Sequence, residues 1–154
     1  DWDTVKRYRK QWDGKFILKG ILDAEDAKKA LEIGADAIIV SNHGGRQLDG
    51  ALSSIRVLPE IIDAVGDKIE VHLDSGIRSG QDVLKALALG ATGTYIGRAY
   101  IYGLGALGQQ GVETALSIIH KELDTTMALC GEKNIHKLNR SNLLIPEEFF
   151  QKYS

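Results

Sequence analysis

Short apolar runs alternate along this chain with longer segments whose apolar residues recur every three or four positions. Val5, Tyr8 and Trp12 recur at helical spacing and predict a helix over 3–12. Asp13-Gly14 is a turn, and Phe16-Ile17-Leu18 is a short strand ending in Lys19-Gly20. Asp23 can cap a helix that runs to Ile33, where Gly34 stops it. Ala37 to Val40 reads as a buried strand, followed by a polar, glycine-rich loop from Ser41 to about Leu52. The next helix runs from about Ser53 to Val65, with a kink or restart expected near Pro59. Ile69 to Asp74 is a strand, Ser79 opens a helix that ends at Gly90, and Thr94-Tyr95-Ile96 is a fourth strand. Gln110 to Leu129 predicts a long amphipathic helix, and short helical turns and coil follow Gly131.

The alternation contains a repeat at an offset of 56 residues. Gly20 matches Gly76, Ile21 matches Ile77 and Asp26 matches Asp82. Lys29-Ala30-Leu31 matches Lys85-Ala86-Leu87, and Gly34-Ala35 matches Gly90-Ala91. Each copy is strand, loop, helix, strand, so two copies give four βα units and a parallel sheet. The first βα turn lacks the Gly-x-Gly-x-x-Gly of a dinucleotide-binding open sheet. The expected fold is therefore half of an eight-stranded α/β (TIM) barrel, which needs ~250 residues when complete. The open doubly wound sheet is the alternative. The inner faces of the strands, such as those bearing Ile38 and Val40, are expected to lose the partners that fill a closed barrel.

Composition narrows the classes. The 154 residues are 44% hydrophobic and 26% charged, with a net charge of -2, a globular balance without the basic field that nucleic-acid binding needs. Cys130 is the single cysteine, so no disulfide forms within the chain and a reducing, cytoplasmic compartment is expected. No apolar run approaches the ~20 residues of a membrane span. The chain begins at Asp1 and its one methionine is Met127, which suggests a fragment or a processed piece.

In an α/β barrel, chemistry sits where strands end and βα loops begin. Here the strand ends deliver Lys19, then Ser41-Asn42-His43-Gly44-Gly45-Arg46, then Asp74-Ser75-Gly76-Ile77-Arg78, then Gly97-Arg98. Histidine titrates near neutrality and suits proton transfer, while the planar fork of an arginine matches a carboxylate. His43 and Arg46, separated by two glycines, thus suit an acid whose neighbouring carbon must lose a proton; a hydrogen-bonded loop histidine and a surface arginine are the plainer alternative. Arg78 and Arg98 follow glycines at the last two strand ends, where barrels often hold phosphate. Ordinary surface arginines would look the same. Lys19 could be a Schiff-base lysine, a cofactor contact or an ion-pair partner, and spacing does not choose. His72 shares a strand face with Asp74 and reads as an interior histidine satisfied by neighbours. No zinc spacing, Gly-x-Ser-x-Gly elbow or Walker loop is present.

The run Ser41-Asn42-His43-Gly44-Gly45-Arg46-Gln47-Leu48-Asp49 resembles the active-site signature of the flavin mononucleotide (FMN)-dependent 2-hydroxy-acid dehydrogenases and oxidases. Leu18-Lys19-Gly20, Leu73-Asp74-Ser75-Gly76-Ile77-Arg78-Ser79-Gly80, and Ala86 to Ala91 leading into Ile96-Gly97-Arg98 extend the resemblance over nearly the whole chain. It aligns with the second half of that family's barrel, and Gly45 and Leu52-Ser53-Ser54 look most like bacterial L-lactate dehydrogenases.

The resemblance implies roles. His43 is the active-site base and Arg46 binds the substrate carboxylate. Lys19 sits at the flavin N1/O2 edge, Ser41 hydrogen-bonds the flavin, and Asp74 contacts the ribityl chain. Gly76, Arg78, Gly97 and Arg98 hold the phosphate. The implied reaction oxidises an L-2-hydroxy acid, L-lactate before glycolate or mandelate, to the 2-oxo acid. A quinone, cytochrome or oxygen then reoxidises the flavin. The complete protein is expected to be a homo-oligomer, cytoplasmic or peripheral on the inner membrane. The first half of the family's barrel supplies a tyrosine, a second arginine and the aspartate that orients the histidine. Residues 1–154 alone are therefore expected to be inactive, at most a phosphate-binding half-barrel. His72 stands where the family usually has an aliphatic residue.

Overall fold

The computed structural model describes residues 1–150. Strands β1 (Ile17–Ile21), β2 (Ala37–Val40), β3 (Glu70–Leu73) and β4 (Gly93–Thr94) form one parallel sheet in sequence order. Helices α2 (Ala24–Glu32), α3 (Ser54–Val65), α4 (Gly80–Ala88) and α5 (Arg98–Leu129) each follow a strand, and α1 (Trp2–Gln11) precedes β1. Strand order without reversal is that of consecutive βα units in a barrel; a doubly wound sheet reverses at a switch point.

Register sorts the two faces of the sheet. Leu18, Ile38 and Val71 lie abreast, as do Val40 and Leu73. They pack into one core with Val57, Leu58, Ile61 and Val65 of α3 and with Ala27, Ala30, Val83 and Ala86 of α2 and α4. Ile38 and Val40 are 0% exposed there, so they face the helices rather than the barrel interior. Each such side chain contributes about 1.5–3 kcal/mol by leaving water. Side chains alternate along a strand. The opposite, concave face therefore carries Lys19, Ile39, His72 and Gly93 in one row, with Ser41, Asp74 and Tyr95 two residues further along.

The repeat is present in the backbone. Gly20 and Gly76 take φ of 97° and 92°, and Gly34 and Gly90 take 82° and 113°, all in the left-handed region that glycine enters without strain. Asp23 caps α2 by accepting from the N–H groups of Glu25 and Asp26, and Ser79 caps α4 in a reciprocal box with Asp82. Ala30 and Ala86 are both 0% exposed.

Three elements differ from the sequence reading. Pro59 lies within an unbroken α3. It deprives only the carbonyl of Ile55, in the first turn, of a donor. The fourth strand is shorter and earlier than Thr94–Ile96. Helix α5 starts at Arg98, twelve residues before Gln110, and breaks at Leu107 and Gly108, where φ is -138° and 59°. Across that break the backbones of Gly103 and Gly111 touch, so the two segments fold against each other with no room for a side chain at either position. Among the described residues no helix is long and apolar enough to cross a membrane.

Candidate active site

The carboxyl ends of the four strands open onto a cleft of about 410 Å³. Lys19, His43, Arg46, Asp74, Gly76, Arg78, Gly97 and Arg98 all line it. Ser41, the remaining residue expected at the site, lies beneath, 1% exposed.

Ser41 is a junction. Its Oγ accepts from Lys19 Nζ at 3.0 Å and from the backbone N–H of His43 at 3.0 Å. Ser75 donates to Asp74 Oδ1 at 2.7 Å, which commits its proton. The 3.4 Å contact between the two serines therefore runs from Ser41 to Ser75. Ser75 Oγ also accepts from Gly44 N at 3.1 Å. Lys19 Nζ pairs with Asp74 Oδ2 at 2.8 Å. Burial alone would raise the Asp74 pKa. Hydrogen bonds from Lys19 and Ser75, together with the Lys19 charge, outweigh it and hold the carboxyl below its ordinary range. Ser54 donates to the carbonyls of Asp74 and Ser75 at 2.6 and 3.0 Å, pinning the end of β3 from α3.

The loop after β2 is a left-handed turn. His43, Gly44 and Gly45 have φ of 55°, 67° and 74°. A histidine pays a conformational cost there that its neighbours must offset. Two bonds do so locally: Asn42 Oδ1 accepts from Gly44 N at 3.0 Å, and Ser41 receives His43 N. The imidazole lies against Gly20, where a Cβ would stand 2.8 Å from His43 Cε1. Its ring nitrogens make no hydrogen bond to a described residue. Arg46 is exposed at the rim.

The last two strand ends differ in their helix starts. The first turn of α4 is occupied: Ser79 caps Asp82 N, Asp82 Oδ2 accepts from Arg78 N and Ser79 N, and Glu122 accepts from Gly80 N. At α5 the cap is Gly97, with no side-chain bond to the helix start. The free N–H groups and the positive end of that helix attract an anion. A Cβ on Gly76 or Gly97 would meet nothing within 4 Å, so both glycines border open space. Arg98 reaches from α5 to donate to Gly44 O at 3.0 Å, tying the His43 loop to the start of this helix. The guanidinium of Arg78 is exposed beside it, with no ion pair to a described residue.

Sequence reasoning singled out neither Ser75, Ser54, Gly20 nor Tyr95. Ser75 could have been found: the repeat aligns it with Lys19, the other polar strand end. Ser54 and Gly20 act through contacts made only in the fold. His72 has neighbours, as expected: Nδ1 lies 3.0 Å from Tyr95 Oη and Nε2 3.2 Å from Glu70 Oε2. Among the described residues no group of His, Cys, Asp and Glu could hold a metal ion.

Known proteins place this arrangement. The family model described as "FMN-dependent dehydrogenase" matches residues 1–145. An L-lactate dehydrogenase of Caulobacter vibrioides is 54% identical over 142 residues, covering 92% of this chain and 37% of the relative. A pre-mycofactocin synthase of Mycolicibacterium smegmatis is 51% identical over 148 residues, covering 96% of this chain and 37% of its own. The crystal structure of a monotopic membrane protein, (S)-mandelate dehydrogenase, superposes with a TM-score of 0.90 at 42% identity, over 94% of this chain and 38% of that one. The chain thus spans little more than a third of the length of these relatives, and its four βα units are half of an α/β barrel. It belongs to the FMN-dependent dehydrogenase family.

Proposed function

We propose that this chain carries the catalytic-base side of an FMN site at which a 2-hydroxy acid, L-lactate first among them, is oxidised to the 2-oxo acid. The observation that supports this best is the convergence on one cleft of the His43–Arg46 loop, the Lys19–Asp74 pair and the uncapped, arginine-bearing start of α5. The residues fit FMN. Arg98, Arg78, Gly97 and Gly76 would hold the phosphate, Asp74 would face the ribityl chain, and Lys19 would stand at the flavin N1/O2 edge. Ser41 acts from below, since its hydroxyl is engaged by Lys19, His43 and Ser75. When bound, FMN supplies a two-electron acceptor.

Arg46 binds the substrate carboxylate through two parallel N–H groups and so fixes which carbon faces His43. One proton of the substrate would pass to an imidazole nitrogen of His43 as the carbonyl forms, the oxidation being balanced by the two-electron acceptor that FMN would supply. Lys19 places a positive charge where negative charge develops on reduction. Gly20 leaves the imidazole room that any side chain would take. The partners are then a small 2-hydroxy acid and an electron acceptor of the quinone, cytochrome or oxygen class. Residues 1–154 alone hold half a barrel with open edges at β1 and β4 and are insufficient for turnover.

The test is to purify the complete protein carrying this chain, identify its flavin, and add L-lactate, glycolate and mandelate without oxygen. Bleaching of the flavin by L-lactate is the expected result. A chain that holds FMN but is bleached by no 2-hydroxy acid would refute the substrate class and favour chemistry of another kind, as the pre-mycofactocin synthase relative leaves open.

A further inference from the structure

Below the cleft, on the concave face, three side chains form a connection that the reaction above does not use. Tyr95 lines the cleft at the end of β4. Its hydroxyl lies 3.0 Å from His72 Nδ1, and His72 Nε2 lies 3.2 Å from Glu70 Oε2. The imidazole and phenol rings are 5.6 Å apart and tilted by 45°. The His72 side chain is only 15% exposed, while Glu70 reaches solvent at the amino end of β3.

The order of donors follows from the chemistry of each group. An ionised carboxylate only accepts, so Nε2 carries the hydrogen in the His72 tautomer that bonds Glu70. Nδ1 is then the acceptor, and the Tyr95 hydroxyl donates to it. That commits the hydroxyl proton inward and leaves the oxygen lone pairs as what Tyr95 offers to the cleft. Most other polar groups there donate: Arg46, Arg78, Arg98 and the N–H groups at the start of α5. Asp74 also accepts, with Lys19 on one oxygen and Ser75 on the other, each oxygen keeping a second lone pair.

We propose that Tyr95 is a further ligand-contacting residue of this cleft, whose oxygen accepts a hydrogen bond from a hydroxyl or ring N–H of the bound flavin nucleotide. His72 and Glu70 are positioning residues that fix its ring and its polarity. This inference rests on the FMN reading above.

The test uses the complete protein, with FMN affinity measured on the apoprotein by quenching of flavin fluorescence and the visible band of bound FMN recorded beside it. Tyr95→Phe keeps the ring and removes the acceptor, so FMN should bind about 2–10-fold more weakly with a shifted band. His72→Leu keeps the hydroxyl but frees it, so its loss should be smaller, and the double variant should match Tyr95→Phe alone. Glu70→Gln retains an oxygen that accepts from Nε2–H and should behave as wild type, while Glu70→Leu should resemble His72→Leu and replaces it if that variant does not fold. Wild-type affinity and an unshifted band in Tyr95→Phe would overturn the proposal. A loss in folded His72→Leu as large as in Tyr95→Phe would also overturn it, because the effect would then travel through packing. If the wild-type apoprotein takes up no FMN, the parent reading falls with it; if it does and Tyr95→Phe is silent, only this inference falls.

Discussion

The copy from Gly20 to Ala35 and the copy from Gly76 to Ala91 fold alike but end in different chemistry. Both carry a left-handed glycine near the carboxyl end of a strand, cap a helix with a short polar side chain, bury an alanine completely and leave the helix through a second left-handed glycine. At the strand ends the likeness stops. At the same offset Lys19 aligns with Ser75, and Asn42, which opens the His43 loop, aligns with Arg98 at the start of α5. The scaffold positions answer to backbone geometry and packing, which both copies share. The strand-end positions answer to a ligand that meets the copies from one side. Substitutions should therefore have matched effects in the scaffold and unmatched effects at the rim.

Reversing a rim charge should break the symmetry most. Arg98→Glu puts a negative charge at the uncapped start of α5 and severs the bond to Gly44. FMN should leave on gel filtration, with riboflavin no worse a ligand than FMN. Stoichiometric FMN in that variant would contradict the phosphate assignment. Arg46→Lys keeps the charge and loses the fork. Substrate affinity should fall by about 1.5–3 kcal/mol, roughly 10–150-fold, while the flavin stays bound. Unchanged binding of 2-hydroxy acids would remove Arg46 as the carboxylate anchor.

Asp74→Asn tests the ion pair that joins the two copies. The carboxyl of Asp74 is held below its ordinary pKa in the folded state. It therefore contributes stability above the unfolded carboxylate pKa, near 4, and loses it as pH falls through the folded value. The variant should be less stable than wild type by about 1–3 kcal/mol at pH 7, and the gap should close as pH falls below about 4. Denaturation at both pH values checks it; a gap independent of pH would place the cost in packing instead. The smallest contrast lies in the scaffold. Ala30→Leu and Ala86→Leu each overpack a fully buried site and should each cost about 1–3 kcal/mol, within a few tenths of one another. A twofold disparity would show that the copies are not equivalent in packing.

The alternating elements and the strand-end residues were legible because each depends on local pattern. Ala37–Val40 is apolar throughout, and the left-handed turn at Gly44 and Gly45 announces itself by its glycines. The start of α5 was hidden because Gly103, Gly105 and Gly108 depress helix propensity. Their use appears only where Gly103 meets Gly111. The facing of Ile38 and Val40 could not be read from a continuous apolar run, which fits either side of a sheet. The Ser41–Ser75–Ser54 bonds join residues up to 34 apart in sequence, and serines carry no distinguishing pattern. Convergence of the expected site residues on one cleft is a property of the fold, and it required four strand ends to share one rim.

The central claim is that His43 receives a substrate proton in this cleft. Anaerobic rapid mixing of the complete protein with L-lactate, followed at the flavin band, tests it directly on wild type and His43→Gln. The account predicts stoichiometric FMN in both and flavin reduction slowed at least ~10²-fold in the variant. Reduction of His43→Gln at near wild-type rate would contradict it.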